Sequence, residues 1–360
     1  MNKNKITQFQ YLIMTFFLLN SFIPLVGYHT ITKINSATSL ISIIIGFFFI
    51  TIFIYLTKNI FHYKSNLTII EKIEIMFPKT KYIFLITTLF IIVISLLYSL
   101  NNLVTFINYY ILKNVSLIII TFSLLLTIYY ILTKSIDTIF RLAEICFYVY
   151  SFIFIVSIFG IGKYINLYNV KPLLSSPIEN TITSSFIYLL SSIIPLFLLG
   201  IIPLSKISKI KQSDYTLMKA ARLSSLVIFI NLFTVITTLG IELANIYQNP
   251  DIILYKKISF LNILERLETT LAFNNILNCL FFIILGIYFL KVLIIEIFKI
   301  KKEKEKLSLS LIVFTLMIIS TILTIPKNIY LIISLICLFM ILIINMKLFT
   351  HKCNLQKLKK

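Results

Sequence analysis

The sequence predicts an all-α membrane protein of ten transmembrane helices, folded as a 5+5 inverted repeat with discontinuous first and sixth helices. Three observations carry that reading. Hydrophobic residues make up 59% of the 360 positions and charged residues only 13%, against roughly 45–50% and about 25% in soluble domains. The apolar residues gather into ten runs, each at or above the roughly 20 residues that a bilayer core asks of a helix. Two prolines lie deep inside runs that hold matching places in the two halves of the chain. Together these exclude a secreted domain, a disordered chain and a cytosolic enzyme with one anchor, and they leave no room for a separate soluble domain.

The elements follow in order. Met1–Lys5 is polar and basic and leads straight into a first run at 7–29. No small-residue cleavage site follows, so this run is read as a span and not a signal peptide. Runs at 36–57, 82–112, 115–133 and 136–161 complete a first repeat (1–162). Runs at 181–204, 217–247, 264–298, 307–325 and 328–349 form a second repeat with its linker (163–350), ahead of a basic tail, 351–360. The whole is one polytopic domain. The third and eighth runs exceed the bilayer and should tilt or project from it. Asn66–Phe77 is too polar to span, yet Leu67, Ile69, Ile70, Ile73 and Phe77 recur at helical spacing. It reads as an amphipathic helix on the membrane surface. Residues 163–180, with Pro172 and Pro177, connect the halves externally.

The net charge of +20 would suit a nucleic-acid binder, but its distribution argues otherwise. Only Lys33, Lys113, Lys163, Lys171, Lys256, Lys257, Arg266 and Lys327 fall on one side of a ten-span arrangement, 8 of the 33 basic residues; the other 25 fall on the side of the termini. Basic residues accumulate on the cytoplasmic side of membrane proteins. Both termini are therefore expected in the cytoplasm of a multi-pass cell-membrane protein, the bilayer being the partner and no nucleic acid being implied. Cys146, Cys279, Cys337 and Cys353 show no metal-type spacing and read as small packing residues.

Pro24 in the first run and Pro195 in the sixth each have a glycine close behind, Gly27 and Gly200, and small polar residues in front, Asn20 and Ser21 or Ser191 and Ser192. Proline removes an amide donor and collides with the preceding turn, and open backbone at membrane depth needs protein or a wet cavity to satisfy it. Five spans per half make the second half run inverted. Paired breaks in corresponding spans then point to a central transporter-type site, where opened helix ends offer amide donors to a carboxylate and carbonyls to an ammonium. The bland alternative is a pair of proline kinks. Tyr98, Asn101 and Asn102 in the third span and Asn274 in the eighth are either cavity lining or inter-helix glue. Together, Asn20, Ser21, Pro24, Gly27, Tyr98, Asn101, Asn102, Ser191, Ser192, Pro195 and Asn274 are the candidate ligand-binding residues. Arg141 and Glu144 in the fifth span, and Glu265, Arg266 and Glu268 at the eighth, are candidate gating or coupling groups, a structural clamp weighing against a proton relay. Three scattered histidines, no nucleophile–base pair and no phosphate-binding loop leave no expectation of catalytic residues, a metal or a cofactor. The chain is not read as an enzyme.

Three segments carry a family resemblance. Lys5-Ile6-Thr7-Gln8-Phe9-Gln10 is similar to the opening of the spore germination permeases, the membrane B subunits of germinant receptors within the amino acid/polyamine/organocation superfamily. Ile139–Ile145, containing Arg141-Leu142-Ala143-Glu144, resembles that family's segment in the fifth span. Phe260–Glu268, containing Leu264-Glu265-Arg266-Leu267-Glu268, resembles its segment at the eighth. The sixth span departs from the family's Pro-Phe-Gly-Glu type of break, carrying Ser191-Ser192-Ile193-Ile194 instead, and the eighth lacks the usual tryptophan. The resemblance implies a leucine-transporter-like fold and a small germinant, typically an amino acid, bound centrally. It also implies assembly with germinant receptor A and C subunits in a spore inner membrane. Two readings stand beside each other: a receptor subunit signalling to partners, and a proton-coupled amino-acid permease working by alternating access. A scaffold that has lost its ligand is a third.

Overall fold

A computed structural model describes residues 5–256, 268–301 and 304–357. Among the described residues each apolar run is mostly helical. The first span is α1 (Gln8–Asn20) continued by α2 (Phe22–Leu25); α3 (Tyr28–Asn35) then turns into the second span, α4 (Ser39–His62). The amphipathic segment forms α5 (Ile69–Met76). The third to fifth spans are α6 (Lys81–Tyr110), α7 (Leu117–Leu132) and α8 (Ile136–Ile161). In the second half come α9 (Ile178–Leu198) and α10 (Ser213–Ile246), a short α11 (Pro250–Lys256), and then α12 (Glu268–Phe298), α13 (Glu305–Ile322) and α14 (Lys327–Lys357). Among the described residues nine helical stretches are long and apolar enough to cross a membrane, and α7, with 16 residues, is the tenth apolar helix. Phe48 and Ile52, Phe90, Phe152 and Phe159, and Phe314 stand exposed on its outer surface. Water-soluble folds seldom carry continuous apolar surface beyond a few hundred Å²; hydrocarbon is the solvent this surface suits.

Inter-helix packing reveals the repeat. The first span packs on the seventh as the sixth packs on the second, and the first on the fifth as the sixth on the tenth. The fifth meets the eighth as the tenth meets the third; the third meets the fourth as the eighth meets the ninth. The pairs second–seventh, third–eighth and fourth–ninth map onto themselves. An inverted two-fold relation between two five-helix halves generates every one of these correspondences.

Close backbone approach supports two of the contacts. A Cβ on Gly46 would lie 2.6 Å from the Tyr188 ring, and one on Gly286 would lie 2.6 Å from Leu96, so hydrogen at these positions lets spans two and six, and eight and three, come together.

Local chemistry sets the helix ends. The Thr7 hydroxyl accepts from Gln10 N (3.2 Å) while Gln10 Oε1 accepts from Thr7 N (3.0 Å), a capping box that starts α1. Thr68 and Glu71 repeat the device at α5. Ile69, Ile70, Ile73 and Met76 bury the apolar stripe of α5. Its Lys72, also buried, donates to the Ile60 (3.1 Å) and Phe61 (2.8 Å) carbonyls and so caps the last turn of α4, where a cation also complements the helix dipole.

Backbone continuity departs from the proline pattern in an instructive way. The first span breaks where expected, at the Ser21 turn and at Gly27, whose φ of 77° and ψ of 157° suit glycine alone. The sixth stays α-helical past Ser191, Ser192 and Pro195 as far as Leu198 and then relaxes into a 3-10 turn and extended chain at Leu199–Ile202. Its loss of α geometry therefore falls near the face of the termini. A further break, at Gly240 (φ 78°) in α10, was not legible from prolines; the Thr237 carbonyl is taken there by Asn166 N (3.1 Å) and Asn169 Nδ2 (2.8 Å) of the inter-repeat linker.

Candidate functional site

Each of the two proline-bearing spans has an open carbonyl that a tyrosine from a distant span takes up. Pro195 has no N–H, so the Ser191 carbonyl four residues earlier loses its helical partner. Tyr330, fully buried on α14, donates its hydroxyl to that carbonyl at 3.4 Å. In the first span the helix ends at Leu25, and the Leu25 carbonyl accepts from the Tyr98 hydroxyl of α6. The two tyrosine rings stack on one another, centroids 4.8 Å apart at 22°. A tyrosine bracket thus ties the third span to the first break and the tenth span to the sixth, and joins the halves at their centre.

Beside the bracket, on the face opposite the termini, opens a cavity of about 560 Å³. Pro24 and Asn102 line it, with Thr105, Asn108 and Tyr110 from α6 and Gln248 and Asn249 from the loop after α10. Its described wall carries no charged side chain. Gly27 stands against it, its Cα hydrogen directed toward the Gln248 carbonyl, 3.6 Å from where a Cβ would be. Asn102 Nδ2 is buried without a hydrogen-bond partner. Carboxamides donate and accept, so such a wall suits a small ligand bearing both kinds of group.

The remaining predicted ligand residues divide. Asn20, Ser21, Ser191, Ser192 and Asn274 are buried within the helix packing below the cavity. Their hydrogen bonds are mostly local: Ser21 to the Leu18 carbonyl (2.6 Å), Asn20 Nδ2 to that of Phe16 (3.1 Å), and Ser191 and Ser192 to that of Tyr188 (2.7 and 3.1 Å). Asn274 Nδ2 reaches the Tyr150 carbonyl at 3.4 Å. The Oδ1 atoms of Asn20 and Asn274 have no partner, which leaves acceptors at depth on the first and eighth spans. Asn101 faces elsewhere: its Nδ2 caps the end of α13 at the Leu323 carbonyl, 2.6 Å away, and acts as glue between the third and ninth spans.

At the face of the termini the bundle is tied shut. Ile6 pairs with Ile207 as a parallel bridge, Ile6 N donating to Lys206 O and Ser208 N to Ile6 O, both 2.9 Å. Gln8 donates to the carbonyls of Ser208 and Lys209 and accepts from the Thr216 hydroxyl (2.5 Å). Glu144, one of the candidate coupling groups, accepts from Gln10 Nε2 at 2.9 Å, so the fifth span holds the start of the first. Arg141 lies on the same helix one turn earlier. His62 and Lys58 of α4 reach Asp214 of α10 at 2.8 and 3.3 Å. Glu265 and Arg266 lie outside the described residues, and Glu268 is described only as the first residue of α12.

Three contributors escaped the sequence reading. Tyr330 gave no signal beyond being aromatic at the start of a span. Gln10 looked like a polar residue at a helix start. Asp251 sits after Asn249-Pro250, where an acid usually faces water; here it is buried and accepts from Asn275 Nδ2 at 2.5 Å.

The sequence profile described as "Spore germination protein" matches residues 5–329. No curated protein matches the chain in sequence. Among solved structures the chain is similar to variants of the manganese transporter of Eremococcus coleocola, at 13% identity and a TM-score of 0.45 over 93% of this chain and 69% of that one. It is also similar to the same transporter in complex with an aromatic bis-isothiourea substituted compound, at 12% identity and a TM-score of 0.41.

Proposed function

The chain belongs to the spore germination protein family, and from that membership we propose that this permease-like membrane protein is the ligand-binding subunit of a germinant receptor. The ligand is a small zwitterion of the amino-acid class, taken up through the cavity lined by Pro24 and Asn102 and held against the first and sixth spans. The observation that carries the reading is the tyrosine bracket: Tyr98 holds the carbonyl at the end of α2, Tyr330 holds the one that Pro195 frees inside α9, and the two rings stack on each other beside that cavity. A ligand that competes for either carbonyl shifts both helices, and that shift is the signal passed to A and C partner subunits in the spore inner membrane. Both termini then face the cytoplasm, on the side holding 25 of the 33 basic residues.

Binding is tested by titrating the full chain in lipid nanodiscs with a panel of amino acids and following thermal stability. The expected result is stabilisation by at least one amino acid in the wild type and its loss in Asn102→Phe, which fills the cavity wall. Stabilisation by no amino acid, or equal stabilisation of the variant, overturns the reading. One feature also favours a working permease: the Ile6–Ile207 bridge closes one face while the cavity opens toward the other, the asymmetry that alternating access requires. Uptake of the stabilising amino acid into liposomes holding only this chain separates the two.

A further inference from the structure

A carboxylate buried without a cation is costly, and Asp251 is such a group among the described residues. It is 4% exposed, at the start of α11, the element that covers the face opposite the termini between the seventh and eighth spans. Its one side-chain partner there is neutral: Asn275 Nδ2 of α12, 2.5 Å from Oδ2. Among the described residues the titratable groups whose field it shares are tyrosines, Tyr28 of α3, Tyr110 of α6 and Tyr255 of α11 itself. None of the ion pairs among the described residues includes it. Tyr110 and Asn249 also line the cavity, so the carboxyl stands just behind the cavity wall.

We propose that Asp251 is a proton-binding site that controls the seating of α11, one proton being taken from the aqueous side as the cap closes and returned to it as the cap lifts. When α11 is seated, the carboxyl is buried while Leu254 and Tyr255 of the same helix pack into an apolar cluster with α8 and α10, and among the described residues an amide and backbone N–H groups favour its ionised form. When α11 lifts, water solvates the ion. Burial accordingly holds the carboxyl above the usual carboxylate range, opposed by the Asn275 hydrogen bond and those from the backbone at Asp251 and Ile252. The closed state binds the proton more tightly than the open state, so closure is favoured in acid and weakens as pH rises through the window between the two affinities. The inference stands whether or not the central site binds an amino acid.

The test is hydrogen exchange of the backbone amides of 247–256 in the full chain in nanodiscs. Exchange is followed from about pH 4, near the ordinary aspartate value, to about pH 9, with the intrinsic pH dependence of exchange divided out. The wild type should lose protection by up to about tenfold per pH unit over the window, then level off. Asp251→Asn should hold protection flat. Asn275→Ala, which removes a donor to the ionised form, should carry the window to higher pH, and it keeps the proposal testable if the first variant does not fold. Flat protection in the wild type, as an ion pair with Lys256, Lys257 or Arg266 would give, overturns it. So does an unchanged pH dependence in Asp251→Asn.

Discussion

Replacing Tyr330 with Phe isolates one atom of the bracket. The ring stays, so the stack on Tyr98, about 0.5–1.5 kcal/mol for an aromatic pair, is kept; only the hydroxyl that serves the Ser191 carbonyl is lost. A buried carbonyl left without a donor costs about 1–3 kcal/mol, while hydrogen bonds between helices in membranes average about 0.6 and reach about 1.7 kcal/mol. At 3.4 Å the bond is long, which places the expected loss near 1 kcal/mol. The carbonyl needs that hydroxyl because Pro195 supplies no N–H. Pro195→Ala restores the missing donor, and in that background Tyr330→Phe should cost less than about 0.3 kcal/mol. Unfolding of the four proteins in one detergent gives a double-mutant cycle with a coupling near 1 kcal/mol. Equal costs of Tyr330→Phe in the two backgrounds would refute the reasoning, because the hydroxyl would then be serving something other than the proline gap.

Two further expectations follow from features already described. Burial holds the Lys72 ammonium at about 8 rather than 10.5, so between those values the unfolded chain binds more protons and wild-type stability rises with pH, by at most about 3 kcal/mol. Lys72→Met should lack that rise in a series of unfolding curves from pH 7.5 to 10.5, and a parallel rise in the variant counts against Lys72 as its source. Gly27→Ala forces a side chain into backbone at φ 77° and ψ 157° and should destabilise by about 1–3 kcal/mol, read as a lowered unfolding midpoint; an unchanged midpoint would mean that the chain re-forms a straight helix there.

The spans were legible because their signal is collective. Some twenty apolar residues in a row cannot be anything cheaper than a membrane helix, and the matching of two halves follows from counting them. The amphipathic Asn66–Phe77 segment was equally plain from its spacing. The site was less legible, for a physical reason. Pro195 announces that a backbone carbonyl is freed, but not which side chain answers it; Tyr330 does so from a helix distant in sequence, as Tyr98 does for the Leu25 carbonyl where α2 ends, and only packing pairs them. Asn101 shows the converse, since an asparagine at membrane depth looks the same whether it lines a cavity or caps the ninth helix at Leu323. Gly240 bends a helix with no proline nearby. Asp251 was hidden because burial is decided by how α11 folds back over the bundle.

The shortness of α7 has a consequence for the lipid. Its 16 residues rise about 24 Å, whereas a typical hydrocarbon core is about 30 Å thick. Its neighbour α13, which packs on it, has 18 residues and rises about 27 Å. The molecule therefore has a thin flank, with Phe122 and Leu126 of α7 and Phe314 and Ile318 of α13 facing outward. A bilayer meeting that flank must dimple by several ångströms, at fractions of a kcal/mol per ångström. On that side the protein is expected to act as a thickness gauge, favouring thin or deformable membrane and any neighbour whose own helices are as short.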